Sequence, residues 1–174
     1  MRMQEKLEEL SRLAKEKQSE NQKYFKVLKR RTPKNLDVVV HTIHDQVFEH
    51  TDCLACGNCC STTSPLFTEK DITRIAKHLR IKEHQFITQY LQRDEDDFWV
   101  LQETPCPFLG DDNYCFIYDV RPKACAEYPH TNRKKFIQLS NLTIKNTEIC
   151  PAVYEIVEEL KKELPVQIGR KPKS

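Results

Sequence analysis

The chain contains no run of 18 apolar residues, and charged side chains make up 31% of it, so no segment is long and apolar enough to cross a bilayer as a helix. Glycine is almost missing: Gly57, Gly110 and Gly169 are the whole supply among 174 residues. Three scattered glycines cannot build the glycine-rich turn that brings backbone amides against a dinucleotide pyrophosphate. The opening MRMQEKLEEL offers charge where a secretion signal needs a short apolar core, so a cytoplasmic chain without a membrane partner is the expectation. With 39% hydrophobic residues the composition is nevertheless that of a folded globular protein and not of a disordered one.

Against these shortages stands an excess of cysteine: Cys53, Cys56, Cys59, Cys60, Cys106, Cys115, Cys125 and Cys150. A disulfide framework does not persist in a reducing cytosol, which makes metal binding the leading explanation. Four of the eight fall within CLACGNCC, residues 53–60, a density that the burial of inert thiols does not explain. Cys53, Cys56 and Cys59 follow C-x2-C-x2-C, the spacing of the first three ligands of a bacterial ferredoxin loop. That loop, however, places its fourth cysteine three residues further on, with a proline behind it. Here Cys60 follows at once. Neighbouring cysteines rarely enter one tetrahedron, so Cys60 is expected to serve another centre or to pack structurally, with a distant cysteine completing the first site. Cys106 and Cys150 each precede a proline, and Gly57 permits the positive φ that lets amides approach sulfur. An ordinary zinc ribbon would show two separated C-x2-C pairs. All eight thiols are candidate ligands, and their softness suits zinc or an iron–sulfur cluster: two zinc ions, one cluster with thiols to spare, or two clusters.

Hydrophobic periodicity gives the frame. Met3, Leu7, Leu10 and Ala14 recur at helical steps and predict a helix over 3–20, the pattern weakening after Ala14. Pro33 interrupts the chain. A helix over 35–49 then carries Leu36, Val39, Val40, Ile43 and Val47 on one stripe. Thr68 and Asp71 approximate a capping box before Ile72, Ile75, Ala76 and Leu79, and a helix over 83–92 would bury Phe86, Ile87, Tyr90 and Leu91. RDEDD reads as a solvated turn, FWVLQ as a short strand and LGDDNY as a turn. RPKACAEYP reads as a short helix opening at Pro122 and stopping before Pro129. FIQLSNLTIK fits strand or helix. Pro151 opens a last helix burying Val153, Ile156, Val157 and Leu160. The expected fold is mainly α, with irregular cysteine-bearing loops and at most a short β hairpin, in a small metal-stabilised single domain with an N-terminal helical arm. The expected segments are a basic amphipathic arm over 1–34, the cysteine-cluster domain over 35–165 and a disordered basic tail over 166–174. Short helices joined by long loops hold little core, so metal-binding free energy would serve as folding free energy.

Charge is uneven. Residues 1–34 carry eleven Lys or Arg against five Asp or Glu, and the remainder is net acidic. Such a run is more often the solvated face of a helix than a nucleic-acid contact, and a protein partner is the alternative kept. Among the histidines, His41 and His44 could share a face with Asp45, while His50 and His130 are the ones placed to replace a missing thiolate. Each is more often a surface or packing residue.

CLACGNCC, followed by CPFLGDDNYCFIYDVRPKACAEYP with Cys106, Pro107, Phe108, Leu109, Cys115, Ile117, Tyr118, Arg121, Pro122, Cys125, Tyr128 and Pro129, resembles the YkgJ-type CxxCxxCC cysteine-cluster family. That family is described as a zinc- or iron-chelating domain. The resemblance covers about residues 50–152 and implies metal chelation by these cysteines. The family's relatives include a flagellin lysine N-methylase, so an enzyme modifying protein side chains is one alternative. The chain lacks the C-x3-C-x2-C order of a radical S-adenosylmethionine enzyme and is short for such a barrel. A zinc-structured interaction module using the basic arm is the other alternative. Arg121 could satisfy carbonyls or a carboxylate beside the cluster, and Tyr118 could donate to a thiolate; an ion-pair partner and a core aromatic are the plainer roles.

Overall fold

The computed structural model describes residues 3–167, so residues 168–174 of the expected tail lie outside the described residues. The helices are α1 (Met3–Arg30), α2 (Leu36–Phe48), α3 (Cys53–Cys56), α4 (Asn58–Thr62), α5 (Glu69–Leu79), α6 (Glu83–Tyr90), α7 (Lys123–Glu127), α8 (Ser140–Asn146) and α9 (Pro151–Glu163). Two strands, β1 (Leu91–Arg93) and β2 (Trp99–Leu101), form an antiparallel pair, and 3-10 turns occur at Tyr118–Val120 and Phe136–Leu139. The protein is thus mainly α with one short hairpin among the described residues. The backbone divides into two compact units, one of residues 1–52 with 129–174 and one of residues 53–128.

In the first unit α1 runs ten residues past the stretch its apolar repeat predicts. The stripe does continue, through Asn21, Tyr24, Phe25 and Leu28, all buried. The polar Asn21 hides the repeat, and its side-chain oxygen accepts a hydrogen bond from Lys161 Nζ at 3.0 Å. Tyr24, Phe25 and Leu28 pack with Leu36, Val40, Ile43 and Val47 of α2 and with Val153, Ile156, Val157 and Leu160 of α9. Removing this apolar surface from water is the main stabilising term. The Tyr24 hydroxyl lies 3.1 Å from both the Leu160 and Leu164 carbonyls and closes the end of α9. The ambiguous FIQLSNLTIK is a 3-10 turn leading into α8. Its start is fixed by Asp37, whose carboxylate accepts the amides of Lys135 (2.7 Å) and Phe136 (3.1 Å).

The second unit carries seven of the eight cysteines. The capping box at Thr68 is complete: the Thr68 hydroxyl accepts the Asp71 amide at 3.2 Å and the Asp71 carboxylate accepts the Thr68 amide at 2.9 Å. The helix predicted to reach residue 92 ends at Tyr90. Leu91 is buried, as its apolar character requires, but in extended backbone facing Leu101 across the hairpin. Arg93 lies over the Trp99 ring at 3.8 Å. Phe67, Ile72, Ile75, Phe86, Leu101, Phe108 and Ile117 make the core, with Phe86 and Phe108 stacked at 6.2 Å.

Candidate metal centre

CLACGNCC is two short helices hinged at Gly57, where a plain loop was expected. Gly57 takes φ +56, and its amide donates to the Cys53 carbonyl at 2.8 Å. That left-handed step ends α3 and starts α4, which L side chains with a Cβ resist. Cys53 and Cys56 thereby sit at the two ends of α3, and Cys59 and Cys60 lie side by side in α4. The Asn113 side chain donates to the Leu54 carbonyl at 2.7 Å, tying the later turn to the cluster. A second tie is made within α4, where the Cys60 carbonyl accepts the Cys106 amide at 2.9 Å.

The segment from Cys106 to Cys115 is a tight reversal. Leu109 bridges to Cys115, the Gly110 amide donates to Tyr114 at 2.8 Å, and the Phe116 amide donates to Phe108 at 2.8 Å. The reversal turns Cys106 and Cys115 to neighbouring positions. Just downstream of each cysteine an amide returns to its carbonyl, Leu109 to Cys106 and Tyr118 to Cys115, both at 3.0 Å. Cys125 comes from α7. Arg121, just before that helix, donates to the Tyr118 carbonyl at 2.8 Å and covers the Tyr118 ring at 3.9 Å, so its guanidinium holds the turn.

Electrostatics identify the thiols that feel one another. Burial pushes Cys125 up to about 12, with further upward pressure from Cys60, Cys106 and Cys115. Burial likewise pushes Cys106 up to about 11 and raises Cys115; Cys60 adds to both, while nearby backbone amides and, at Cys115, Arg121 pull the other way. Cys60 moves in the opposite direction, down to about 7, because the Cys59 thiol hydrogen-bonds to it against the cost of burial. All eight cysteines carry thiols. Cys60 thus acts electrostatically on Cys106, Cys115 and Cys125, and Cys59 acts on Cys60. Cys150 stands in the first unit, at the N-cap of α9, against that unit's core. Among the described residues no three or more His, Cys, Asp or Glu side chains stand close enough to hold one ion in the arrangement shown.

His41 and His44, and the two histidines weighed as substitute ligands, His50 and His130, all belong to the first unit. His41 Nε2 meets the Arg133 carbonyl at 3.3 Å, and His44 Nδ1 meets the Thr131 hydroxyl at 2.7 Å. His50 Nε2 lies 3.1 Å from Glu155. His130 occupies a left-handed backbone position, φ +67. The residue that sequence reasoning placed only in a helix cap is Asp71: it also accepts the Lys123 amide at the head of α7, 3.1 Å away, and so reaches the helix that carries Cys125. Its spacing to Thr68 showed half of that role.

A sequence profile of the CxxCxxCC family, described as "Putative zinc- or iron-chelating domain", matches residues 52–151. The chain belongs to the CxxCxxCC family. An uncharacterized protein of Methanocaldococcus jannaschii is 33% identical over 82 residues, which cover 45% of this chain and 44% of that relative. The matched stretch thus spans less than half of the relative's length. No solved structure matches the chain. The donor set of this CxxCxxCC protein fits the metals its family is described as chelating. Its sulfurs are soft donors, and Cys60 makes ionisation of Cys106, Cys115 and Cys125 costlier, a cost that a bound cation would offset.

Proposed function

We propose that this protein holds zinc or an iron–sulfur cluster on Cys60, Cys106, Cys115 and Cys125, in a reducing cytoplasmic setting. The supporting observation is how the chain gathers these residues: the Cys106 amide donates to the Cys60 carbonyl at 2.9 Å, and Leu109 bridges to Cys115 across the reversal that begins at Cys106; the influence of Cys60 on Cys106, Cys115 and Cys125 accords with it. With protons alone, Cys106 and Cys125 stay neutral at pH 7. A cation among them reverses that balance by replacing the protons with its own charge. Zinc bound there would cross-link the 53–60 hinge, the 106–115 reversal and α7, and a cluster would add one-electron chemistry to the same cross-link. Cys53, Cys56 and Cys59 are further thiolates on the hinge, available to a second ion or a larger centre, and the proposal needs no ligand outside the second unit.

Protein purified without oxygen, analysed for zinc, iron and acid-labile sulfide and by visible absorption, tests this. Stoichiometric metal lost in Cys106→Ser and Cys125→Ser but kept in Cys150→Ser is the expected result. Absence of stoichiometric zinc and iron from the wild-type chain overturns the reading.

A further inference from the structure

Asp71 is an unusual carboxylate for a surface helix: its side chain is 2% exposed, and its two oxygens do different work. Oδ2 accepts from the Thr68 amide (2.9 Å) and hydroxyl (2.7 Å), which is the cap of α5. Oδ1 faces away from that cap. It accepts from Arg74 Nη2 at 2.6 Å and from the Lys123 amide at 3.1 Å. Arg74 then extends the same contact: Nη2 also donates to the Arg121 carbonyl at 2.9 Å, and Nε donates to the Val120 carbonyl at 3.4 Å.

The segment so gripped is the approach to Cys125. Pro122 is the N-cap of α7 and provides no side-chain cap bond, so the first amide of that helix depends on an acceptor from elsewhere in the chain. Asp71 is that acceptor. The carbonyls of Val120 and Arg121, just before the helix, are held by Arg74 on the same anchor. Asp71 is buried whereas Arg74 is 42% exposed, so deleting Arg74 takes a charged donor from a buried carboxylate.

We infer that Asp71 and Arg74 form a clamp from α5 that sets the position of α7, and through it the place of Cys125 among the other thiols. They are positioning residues and touch no ligand. Their importance for metal rests on the function proposed above, whereas the placement of Cys125 does not.

The experiment uses the full chain and three variants. Arg74→Ala removes the Arg74 half of the clamp, its bonds to Asp71 Oδ1 and to the Val120 and Arg121 carbonyls, and leaves the Lys123 amide on Asp71 and both Thr68 bonds of the α5 cap. Arg74→Lys keeps a cation, and because one nitrogen makes the two short bonds, it should restore most of the wild-type behaviour. Thr68→Ala removes the cap hydroxyl and leaves the Oδ1 side intact. Expected for Arg74→Ala are zinc affinity about tenfold weaker in competition with a chromophoric chelator, shifted visible bands in the cobalt(II)-substituted protein, and several-fold faster alkylation of Cys125 in the metal-free protein. Thr68→Ala should lower the unfolding midpoint and leave all three readouts at wild-type values. Unchanged Cys125 alkylation in Arg74→Ala, or Thr68→Ala matching Arg74→Ala in every readout, overturns the clamp. If the wild-type chain binds neither zinc nor iron, the proposed function fails, and the alkylation rates of metal-free Arg74→Ala still decide on the clamp.

Discussion

Replacing Gly57 with alanine tests the hinge of the cysteine cluster with a magnitude that the structure supplies. A Cβ at this position would stand 2.6 Å from Asn113 Oδ1 and 2.7 Å from its Cγ, closer than real contacts allow, so the Asn113 side chain has to swing away. Its bond to the Leu54 carbonyl (2.7 Å) is then lost, costing about 1 kcal/mol. The backbone at φ +56 adds about 1–2 kcal/mol for any residue with a Cβ. Gly57→Ala should therefore destabilise the second unit by about 2–3 kcal/mol. Urea unfolding followed through Trp99, the chain's one tryptophan and a residue of the same unit, is the direct assay. A double-mutant cycle sharpens it. In Gly57→Ala with Asn113→Ala the hydrogen bond is removed once, although each single variant loses it, so the double variant should cost about 1 kcal/mol less than the sum. Wild-type stability in Gly57→Ala, or strict additivity in the cycle, refutes the packing of Asn113 against the hinge.

Three further outcomes follow from single residues. Burial alone would raise the Asp71 carboxyl, but the Thr68 hydroxyl and amide, Arg74 and the Lys123 amide hold it below its ordinary value. Its contribution is thus present above about pH 4 and lost as pH falls through the lower folded value, and Asp71→Asn should flatten the acid limb of the Trp99 transition. Burial pushes Tyr24 up to about 12; its contribution is complete below about pH 10 and lost as pH rises from there toward 12. Tyr24→Phe should cost about 1 kcal/mol at pH 7 and remove that alkaline slope, as read by circular-dichroism melts at pH 7 and in alkaline buffer. Phe136 is fully buried, with its ring 6.1 Å from that of Phe25, and Phe136→Ala should destabilise the first unit by about 3–5 kcal/mol in chemical denaturation.

Elements whose signal is local were legible in the sequence. The Thr68 capping box, the stripe of α2, Pro151 at the head of α9 and the strand at Trp99 each rest on residues within a few positions of one another. What stayed hidden needed a partner far along the chain. The second half of α1 has a polar residue in its buried stripe, Asn21, whose side-chain oxygen is met by Lys161, 140 positions away. Leu91 counts equally well toward a helix or a strand until Leu101 faces it.

The same distinction separates the two halves of the metal centre. The octet CLACGNCC announces thiolate chemistry by density alone, but which thiols share a centre depends on contacts that spacing does not encode. Adjacent residues on a helix leave its axis about 100° apart, yet the Cys59 thiol acts on that of Cys60. The backbone then commits one of them: the Cys60 carbonyl receives the Cys106 amide, and the thiol of Cys60 acts on Cys106, Cys115 and Cys125. Cys125 in turn sits on a five-residue helix too short to hold itself in place, and the carboxylate that anchors it belongs to the cap of a helix some fifty residues earlier. The ligand types could be read from the chain in order. The grouping we propose rests on a hinge at Gly57, a reversal at Gly110 and a buried acid at position 71, and the last of these looks from sequence like nothing more than a helix cap.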